Sequence, residues 1–321
     1  MSEPVQSPPT LTDVRVAARR IAPYIHRTPV LTCRGIDEMT GGRLYFKCEN
    51  FQKAGAFKMR GATNAIAQLS DRERLHGVAT HSSGNHGAAL ALTARNFRVK
   101  AYVVMPDTAS TVKKRAVASY GAEITYCDAT LDSRDQVLAE VIAKTGAVIV
   151  HPYNDYRIIA GQGTAALELL EDTDELDVVM TPVGGGGLIS GTAIVVKALL
   201  PGAQIIGVEP EGADDAMRSL RAGVIVPATK PHSIADGLLA QLGDKTFGIV
   251  RNHVDDIVTV SEDAIVQAMR LIWERMKIVV EPSAAITLAA ILSGRFDICG
   301  RRAGIILSGG NVDLDALPWV R

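Results

Sequence analysis

Lys58 stands in Gly55-Ala56-Phe57-Lys58-Met59-Arg60-Gly61-Ala62, just ahead of a helix-like run from Ala62 to Leu69. A lysine is ordinarily a solvated surface group. These small and apolar neighbours would bury it, and desolvation lowers an amine's pKa until it can attack a carbonyl. Three further stretches carry chemistry. Gly184-Gly185-Gly186-Gly187 follows a strand pattern and opens a helix pattern. Successive backbone N–H groups without Cβ atoms can wrap an anion there, and the helix N-terminus adds a partial positive charge. No Gly-Lys-Ser/Thr follows, so the run is not a P-loop, and its glycines do not satisfy GxGxxG. Ser82-Ser83-Gly84-Asn85-His86-Gly87 also joins a strand to a helix. Its hydroxyls, amide, imidazole and helix N-terminal amides suit a carboxylate without a formal cation. Ser308-Gly309-Gly310-Asn311 ends the last strand pattern, where a hydroxyl could meet a heteroaromatic nitrogen.

A lysine that forms a Schiff base, a phosphate cradle, a carboxylate clamp and a partner for a ring nitrogen are together the equipment for pyridoxal phosphate. Serine, unlike aspartate, would not keep that nitrogen protonated, so the ring is a weaker electron sink. Such a site favours expulsion of a β-substituent over reactions that need a long-lived carbanion.

The elements that must position these residues read as an α/β protein. Thr10-Leu11-Thr12-Asp13 resembles a capping box and opens a helix to about Tyr24, with Leu11, Val14, Ala18 and Ile21 on one face. Leu44 to Cys48 alternates like a strand. From residue 76 to 150 strand and helix patterns repeat: strands at Gly77–Thr80, Val99–Val104, Glu123–Tyr126 and Ala147–Val150, with a helix over Gly87–Ala94. Further strands are expected at Asp177–Pro182, Gln204–Val208, Val258–Val260 and Ala303–Leu307, with helices over Ile189–Leu200, Glu262–Met276 and Pro282–Leu292. Gly212 to Gly243 reads as loop. Alternation of this kind predicts two doubly wound domains with parallel sheets covered on both faces. The expected division is a large domain of residues 1–75 plus 151–321 and a small one of 76–150.

The 321 residues suffice for about two domains. A formal net charge of -1 gives no electrostatic case for nucleic acid or a membrane surface. Cys33, Cys48, Cys127 and Cys299 have neither CxxC nor metal-ligand spacing, which reads as free thiols in a reducing compartment. The N-terminus lacks a signal peptide's apolar core, and no apolar run is long enough to span a bilayer. A soluble, cytoplasmic protein is the expectation.

With these motifs in view, the sequence resembles the fold-type II pyridoxal phosphate enzymes, tryptophan-synthase-β-like in fold. Within them it is similar to the serine racemase and serine/threonine dehydratase branch, which includes threo-3-hydroxyaspartate ammonia-lyases. The markers are the Lys58, Asn85 and Ser308 stretches, Gly161-Gln162-Gly163-Thr164, the tetraglycine and Glu281-Pro282-Ser283-Ala284. The likeness covers nearly the whole chain. It implies that Lys58 holds the cofactor and Phe57 packs on its ring. It further implies that Asn85 meets the ring hydroxyl, Gly184 to Gly187 the phosphate, and Ser308 the pyridine nitrogen. Glu209, Ala213 and Asp215 fall where racemase-like members bind a divalent cation, which as a hard-ion site suits Mg²⁺ or Ca²⁺. Ser82, Asn85 and His86 would orient the substrate carboxylate. Ser83 matches the racemase serine on the face opposite the lysine, the second acid/base that inversion at Cα requires. Arg134 matches the same pattern and could pair with a second carboxylate, as in 3-hydroxyaspartate. Ala88 replaces a nucleotide-binding glutamine of the animal racemases, and Ala240-Gln241 replaces a pair of serines near the substrate pocket. The resemblance implies a homodimeric ammonia-lyase that converts serine, threonine or 3-hydroxyaspartate to a 2-oxo acid and ammonia. The alternative is a serine or aspartate racemase with dehydratase side activity. A non-catalytic carrier or sensor is the competing class, and Lys58, Ser83 and Ser308, all intact, argue against it.

Overall fold

The computed structural model describes residues 7–82, 84–109 and 111–320, and of Leu131 only the backbone. Ser83 therefore lies outside the described residues. The first helix, α1 (Leu11–Ile21), starts at the expected capping box: the Thr10 N–H donates to Asp13 Oδ2 at 2.7 Å and the Asp13 N–H to Thr10 Oγ1 at 3.4 Å. It buries Val14, Ala17 and Ile21. After β1 (Val30–Leu31), α2 (Arg34–Thr40) and β2 (Arg43–Cys48), helix α3 spans Lys58–Ala67 and α4 Asp71–His76. Helix α3 begins at the lysine itself, four residues earlier than the predicted run. In β2 only Arg43 is exposed, because both faces of the strand are covered.

The middle of the chain forms a four-stranded sheet. It comprises β3 (Val78–His81), α5 (Asn85–Phe97), β4 (Ala101–Pro106), α6 (Thr111–Ser119), β5 (Glu123–Cys127), α7 (Leu131–Thr145) and β6 (Val148–Ile149). Its order is β5-β4-β3-β6, all parallel. Helices α5 and α6 cover one face through Leu90, Ala94 and Val117, and α7 covers the other through Leu138.

The rest of the chain supplies α8 (Tyr156–Glu171), β7 (Val178–Pro182), α9 (Gly187–Leu199), β8 (Gln204–Pro210), α10 (Asp215–Ala222), α11 (Asp244–His253), β9 (Asp256–Val260), α12 (Glu262–Met276), α13 (Pro282–Leu292) and β10 (Arg302–Leu307). With β1 and β2 these strands build a six-stranded sheet in the order β1-β2-β10-β7-β8-β9, antiparallel only at β1. Side chains alternate between two cores, as the period of two demands. Val178, Met180, Ile206, Val208, Ile305 and Leu307 pack with α12 and α13, whereas Val179, Ile205 and Ile306 pack with α8 and α9. Among the described residues no helix is long and apolar enough to cross a membrane.

One predicted loop is not wholly a loop, since α10 lies inside Gly212–Gly243. Its first-turn donors are met from a distance: the Ala216 and Met217 N–H groups donate to the Glu209 carboxylate at 3.1 and 2.8 Å. Asp214 at the N-cap and Asp215 in the first turn are the residue types that mark a helix start, although the Asp214 side chain makes no cap hydrogen bond.

Helix α3 lies between α8 and α5 and so joins the two sheets. It approaches α8 so closely that a Cβ on Gly161 would sit 2.6 Å from Gly61 Cα. Gln162 Oε1 accepts the Gly61 N–H at 3.1 Å. The contact is locked by charge. The wholly buried Arg60 guanidinium donates to both oxygens of Glu49 at 2.7 Å and to both oxygens of Glu168 at 2.8 and 2.7 Å. Buried Lys47 joins through Glu168 Oε2 at 2.7 Å and the Thr28 carbonyl at 2.6 Å. Burial opposes the Arg60 charge, but Glu49 and Glu168 more than offset it and raise its pKa above the ordinary value. Replacing Arg60 by methionine would leave two carboxylates buried without their main partner. The expected loss is about 3–5 kcal/mol in urea unfolding, and Arg60→Lys, which cannot fork between two carboxylates, should recover only part of it.

Candidate active site

A cleft of about 490 Å³ opens between the two sheets. Its floor and walls are strand ends and the helix starts that follow them. Phe57 and Lys58 come from the start of α3, Ser82, Gly84, Asn85 and His86 from the end of β3 and the start of α5, and Gly184 to Gly187 from the turn between β7 and α9. Ser308 follows β10, and Arg134 reaches in from α7. Every one of these was singled out in the sequence, and the fold brings them to one place. Glu209, Ala213 and Asp215 lie apart from it, at the end of β8 and the start of α10.

Lys58 keeps part of its surface open to the cleft, but the cleft walls enclose its amine. The Nζ donates to the Pro152 carbonyl at 2.9 Å and lies 5.1 Å from the centre of the Phe57 ring. Burial lowers its pKa to about 8, against a smaller opposing pull from Glu281. Burial lowers the Lys47 pKa as well, but Glu168 at contact distance opposes that, and Arg60 has two carboxylates, whereas among the described residues Lys58 meets only a carbonyl oxygen at that range. Lys58, the lysine expected to be desolvated, has no counter-ion at contact distance among the described residues.

The glycine turn lines the cleft at the start of α9, as a phosphate cradle would require. Gly186 adopts φ +86°, and a Cβ on Gly185 would sit 2.3 Å from the Tyr153 ring. The turn is held open by Thr246, whose Oγ1 donates to the Gly185 carbonyl at 2.9 Å. Side chains at these positions would fill the space a phosphate needs. At the opposite wall, Ser82 Oγ accepts the Gly84 N–H at 3.2 Å and the Gly87 N–H at 3.0 Å, which leaves its own proton to donate. Asn85 and His86 occupy the first turn of α5 rather than a loop. His86 lies 3.1 Å from the Val150 carbonyl through Nε2, and a carbonyl only accepts, so that nitrogen carries the proton. Burial pushes the His86 pKa well below its usual value, so the ring lines the cleft neutral, and its Nδ1 has no partner among the described residues. Arg134 donates to the Ala129 carbonyl at 3.2 Å, while its buried Nε has no partner among the described residues.

Three groups in the cleft were not assigned roles from the sequence. Glu281, only 3% exposed, accepts the Asn85 amide at 2.7 Å. Burial pushes its carboxyl up to about 7. Lys113 of α6 pairs with Asp236 of the facing wall and ties the two sides of the cleft together. Tyr153 lies over the glycines. The Glu-Pro that opens α13 was the available signal for Glu281, since proline favours the first helical turn and leaves the preceding residue at the helix entrance.

These residues fit pyridoxal phosphate: a desolvated amine, a side-chain-free anion cradle at a helix start and a neutral hydroxyl at a strand end share one cleft. The outlying trio also fits a hard cation. Asp215 is 1% exposed, and neither of its carboxylate oxygens has a partner among the described residues. Burial raises the pKa of both Asp215 and Glu209. Asp214 is near enough to raise both values further, yet among the described residues no group of three His, Cys, Asp or Glu is poised for a metal. A cation would need backbone oxygen or water to complete its shell.

Residues 21–309 match the family described as pyridoxal-phosphate dependent enzyme. The chain is 51% identical to the beta-hydroxyaspartate dehydratase of Paracoccus denitrificans (strain Pd 1222), over 97% of this chain and 99% of that protein. It is also 51% identical to the serine racemase of Dictyostelium discoideum, over 97% of each. Maize serine racemase superposes with a TM-score of 0.94 at 48% identity, covering 96% of this chain and 95% of that one. With the cleft, its lysine and its glycine turn in place, the chain belongs to the pyridoxal-phosphate-dependent enzyme family.

Proposed function

We propose that the protein is an ammonia-lyase that eliminates water from a small β-hydroxy amino acid and yields a 2-oxo acid and ammonia. The observation that carries this reading is Lys58, an enclosed amine with a pKa near 8 that faces a phosphate cradle and a carboxylate-binding helix end across one cleft. The bound cofactor would supply an electron sink that acidifies the substrate's Cα–H. Lys58, whose pKa burial lowers, would act as the base that takes that proton. The Ser82 hydroxyl and the first turn of α5 hold the α-carboxylate. Phe57 packs on the ring, Asn85 meets its hydroxyl, Gly184 to Gly187 hold the phosphate, and Ser308 meets the ring nitrogen as a neutral partner. That neutrality favours loss of a β-substituent over a long-lived carbanion. Arg134, with an unpartnered Nε, is the cation for a second substrate carboxylate, which makes 3-hydroxyaspartate a substrate alongside serine and threonine.

Support for both elimination and inversion comes from the relatives, one named a dehydratase and the other a racemase. Racemisation of serine or aspartate is the second reading, with Ser83 as the acid on the face opposite Lys58. We further propose a cytoplasmic homodimer in which 76–150 is the smaller, substrate-facing domain. A divalent cation, Mg²⁺ or Ca²⁺, would be held by Glu209, Asp215 and the Ala213 carbonyl. Its role would be structural, since these groups lie outside the cleft.

Formation of 2-oxo acid and ammonia from L-serine, L-threonine and the 3-hydroxyaspartate diastereomers, with D-amino acid followed in parallel, tests the main reading. Lys58→Ala should lower turnover at least about 10²-fold, and full activity in that variant would sink the proposal. Arg134→Met should raise KM for hydroxyaspartate about tenfold or more while sparing serine. In the cofactor-free protein, Lys58 should react with an amine-directed reagent with a midpoint near pH 8, protonated and inert below it, free above it. Solvated lysines should lag by about two pH units, and peptide mass spectrometry separates the two. Chelator-treated protein should gain several degrees in Tm on addition of Mg²⁺ or Ca²⁺, and Glu209→Gln/Asp215→Asn should abolish the gain.

A further inference from the structure

Behind Asn85 lies a short chain of polar side chains that none of the roles above uses. Asn311, two residues beyond Gly309, donates through Nδ2 to the Ala54 carbonyl at 2.8 Å and to Asn85 Oδ1 at 2.9 Å. Asn85 in turn donates through Nδ2 to Glu281 Oε1 at 2.7 Å. The direction of this chain is forced. The Ala54 carbonyl can only accept, so the Asn311 atom facing it is the nitrogen, and both of that nitrogen's protons are then committed. The Asn85 atom facing Asn311 must accept and is the oxygen. The Asn85 nitrogen therefore faces Glu281, gives it one N–H and keeps the other for the cleft, which Asn85 lines.

The ends of the chain are held by backbone. The Glu281 N–H donates to the Gly309 carbonyl at 3.0 Å, and the Gly310 N–H to the Gly55 carbonyl at 2.9 Å. A Cβ on Gly309 would sit 2.4 Å from Glu281 Oε1, so the carboxyl has its place only because residue 309 has no side chain. A carboxyl oxygen accepts an N–H whether or not its partner oxygen carries a proton. The contact with Asn85 therefore survives protonation of this carboxyl, which burial has brought to about 7.

We infer that Asn311 and Glu281 are positioning residues that lock the Asn85 amide with an N–H, not its carbonyl, toward the cofactor's ring oxygen. A donor at that oxygen favours its anionic form and leaves the shared proton on the lysine nitrogen. An amide turned round would present an acceptor and pull the proton back to the ring oxygen. The inference rests on the reading of Asn85 as the partner of that ring oxygen.

The test uses the holoenzyme and the two absorbance bands of bound cofactor, which report whether the proton rests on the ring oxygen or on the lysine nitrogen. Asn311→Asp removes both donors and should turn the Asn85 amide round, moving the band ratio about fivefold or more toward the shorter-wavelength form at full cofactor occupancy. Glu281→Ala should move it the same way by less. Glu281→Gln, whose side-chain carbonyl can still accept the Asn85 N–H, should stay close to the unaltered protein. A merely structural role would lower cofactor content or Tm without changing the ratio. Glu281→Ala carries the test alone if Asn311→Asp does not fold. Asn85→Ala separates the two layers. If it leaves the ratio unchanged, the reading of Asn85 fails and the inference with it. If it shifts the ratio while Asn311→Asp and Glu281→Ala do not, the positioning inference alone is overturned.

Discussion

The rest of the molecule depends on one buried fork, the Arg60 guanidinium between Glu49 and Glu168. Two carboxylates and two cations, Arg60 and Lys47, meet there, with the hydroxyl of Thr164 accepting a further Arg60 N–H at 3.1 Å. Charges of this kind are tolerated in an interior only as closed sets, because any one left alone would carry its full desolvation penalty. The fork joins the turn after β2 to α3 and α8. Lys58 is two residues from Arg60 on the same helix, so the arrangement that neutralises one cation also aims the other.

That proximity gives two basic residues opposite fates. Arg60 is surrounded by oxygen acceptors of full charge and stays ionised. Lys58 points the other way, into a cleft, where a backbone carbonyl is its nearest acceptor and Glu281 is felt only weakly. One short helix thus separates a cation that stabilises the fold from an amine available for proton transfer. A desolvated, weakly paired amine is less stable than a solvated one, and the surrounding fold offsets that penalty.

The cleft also illustrates how parallel strands gather chemistry. Strands β3, β7 and β10 all end at it, and the helices that follow β3 and β7 begin there, so their N-terminal amides converge on the same volume. Crevices at the carboxyl ends of parallel strands bind ligands for this reason. The two helix starts that line the cleft belong to different sheets: α5 to the smaller and α9 to the larger. Helix α3 packs against both layers, and the ion pair between Lys113 and Asp236 spans the opening.

Much of this was legible before the fold was known. Strand alternation, the Thr10–Asp13 capping box, the tetraglycine at a strand-to-helix junction and the serine after the last strand all signal locally, through periodicity, side-chain hydrogen bonds over three residues and freedom from Cβ contacts. Those signals determined the α/β class, the parallel sheets and the loops that meet in the cleft. Other features have no local signature. Nothing local marks Arg60 or Lys47 as buried cations, because their shared carboxylate partner Glu168 is more than a hundred residues away. Helix α10 lies in a stretch that reads as loop because of the prolines and glycines around it, and its first-turn donors are met by Glu209 rather than by a cap of its own. Asn85, Glu281 and Asn311 are separated by 196 and 30 residues, and the hydrogen-bond direction among them depends on a carbonyl of Ala54. The sequence by itself determined which residues could do the chemistry. Only the tertiary structure decided which cations meet carboxylates, which amine meets only a carbonyl among the described residues and which edge of an amide faces the cleft, because each depends on contacts between distant segments.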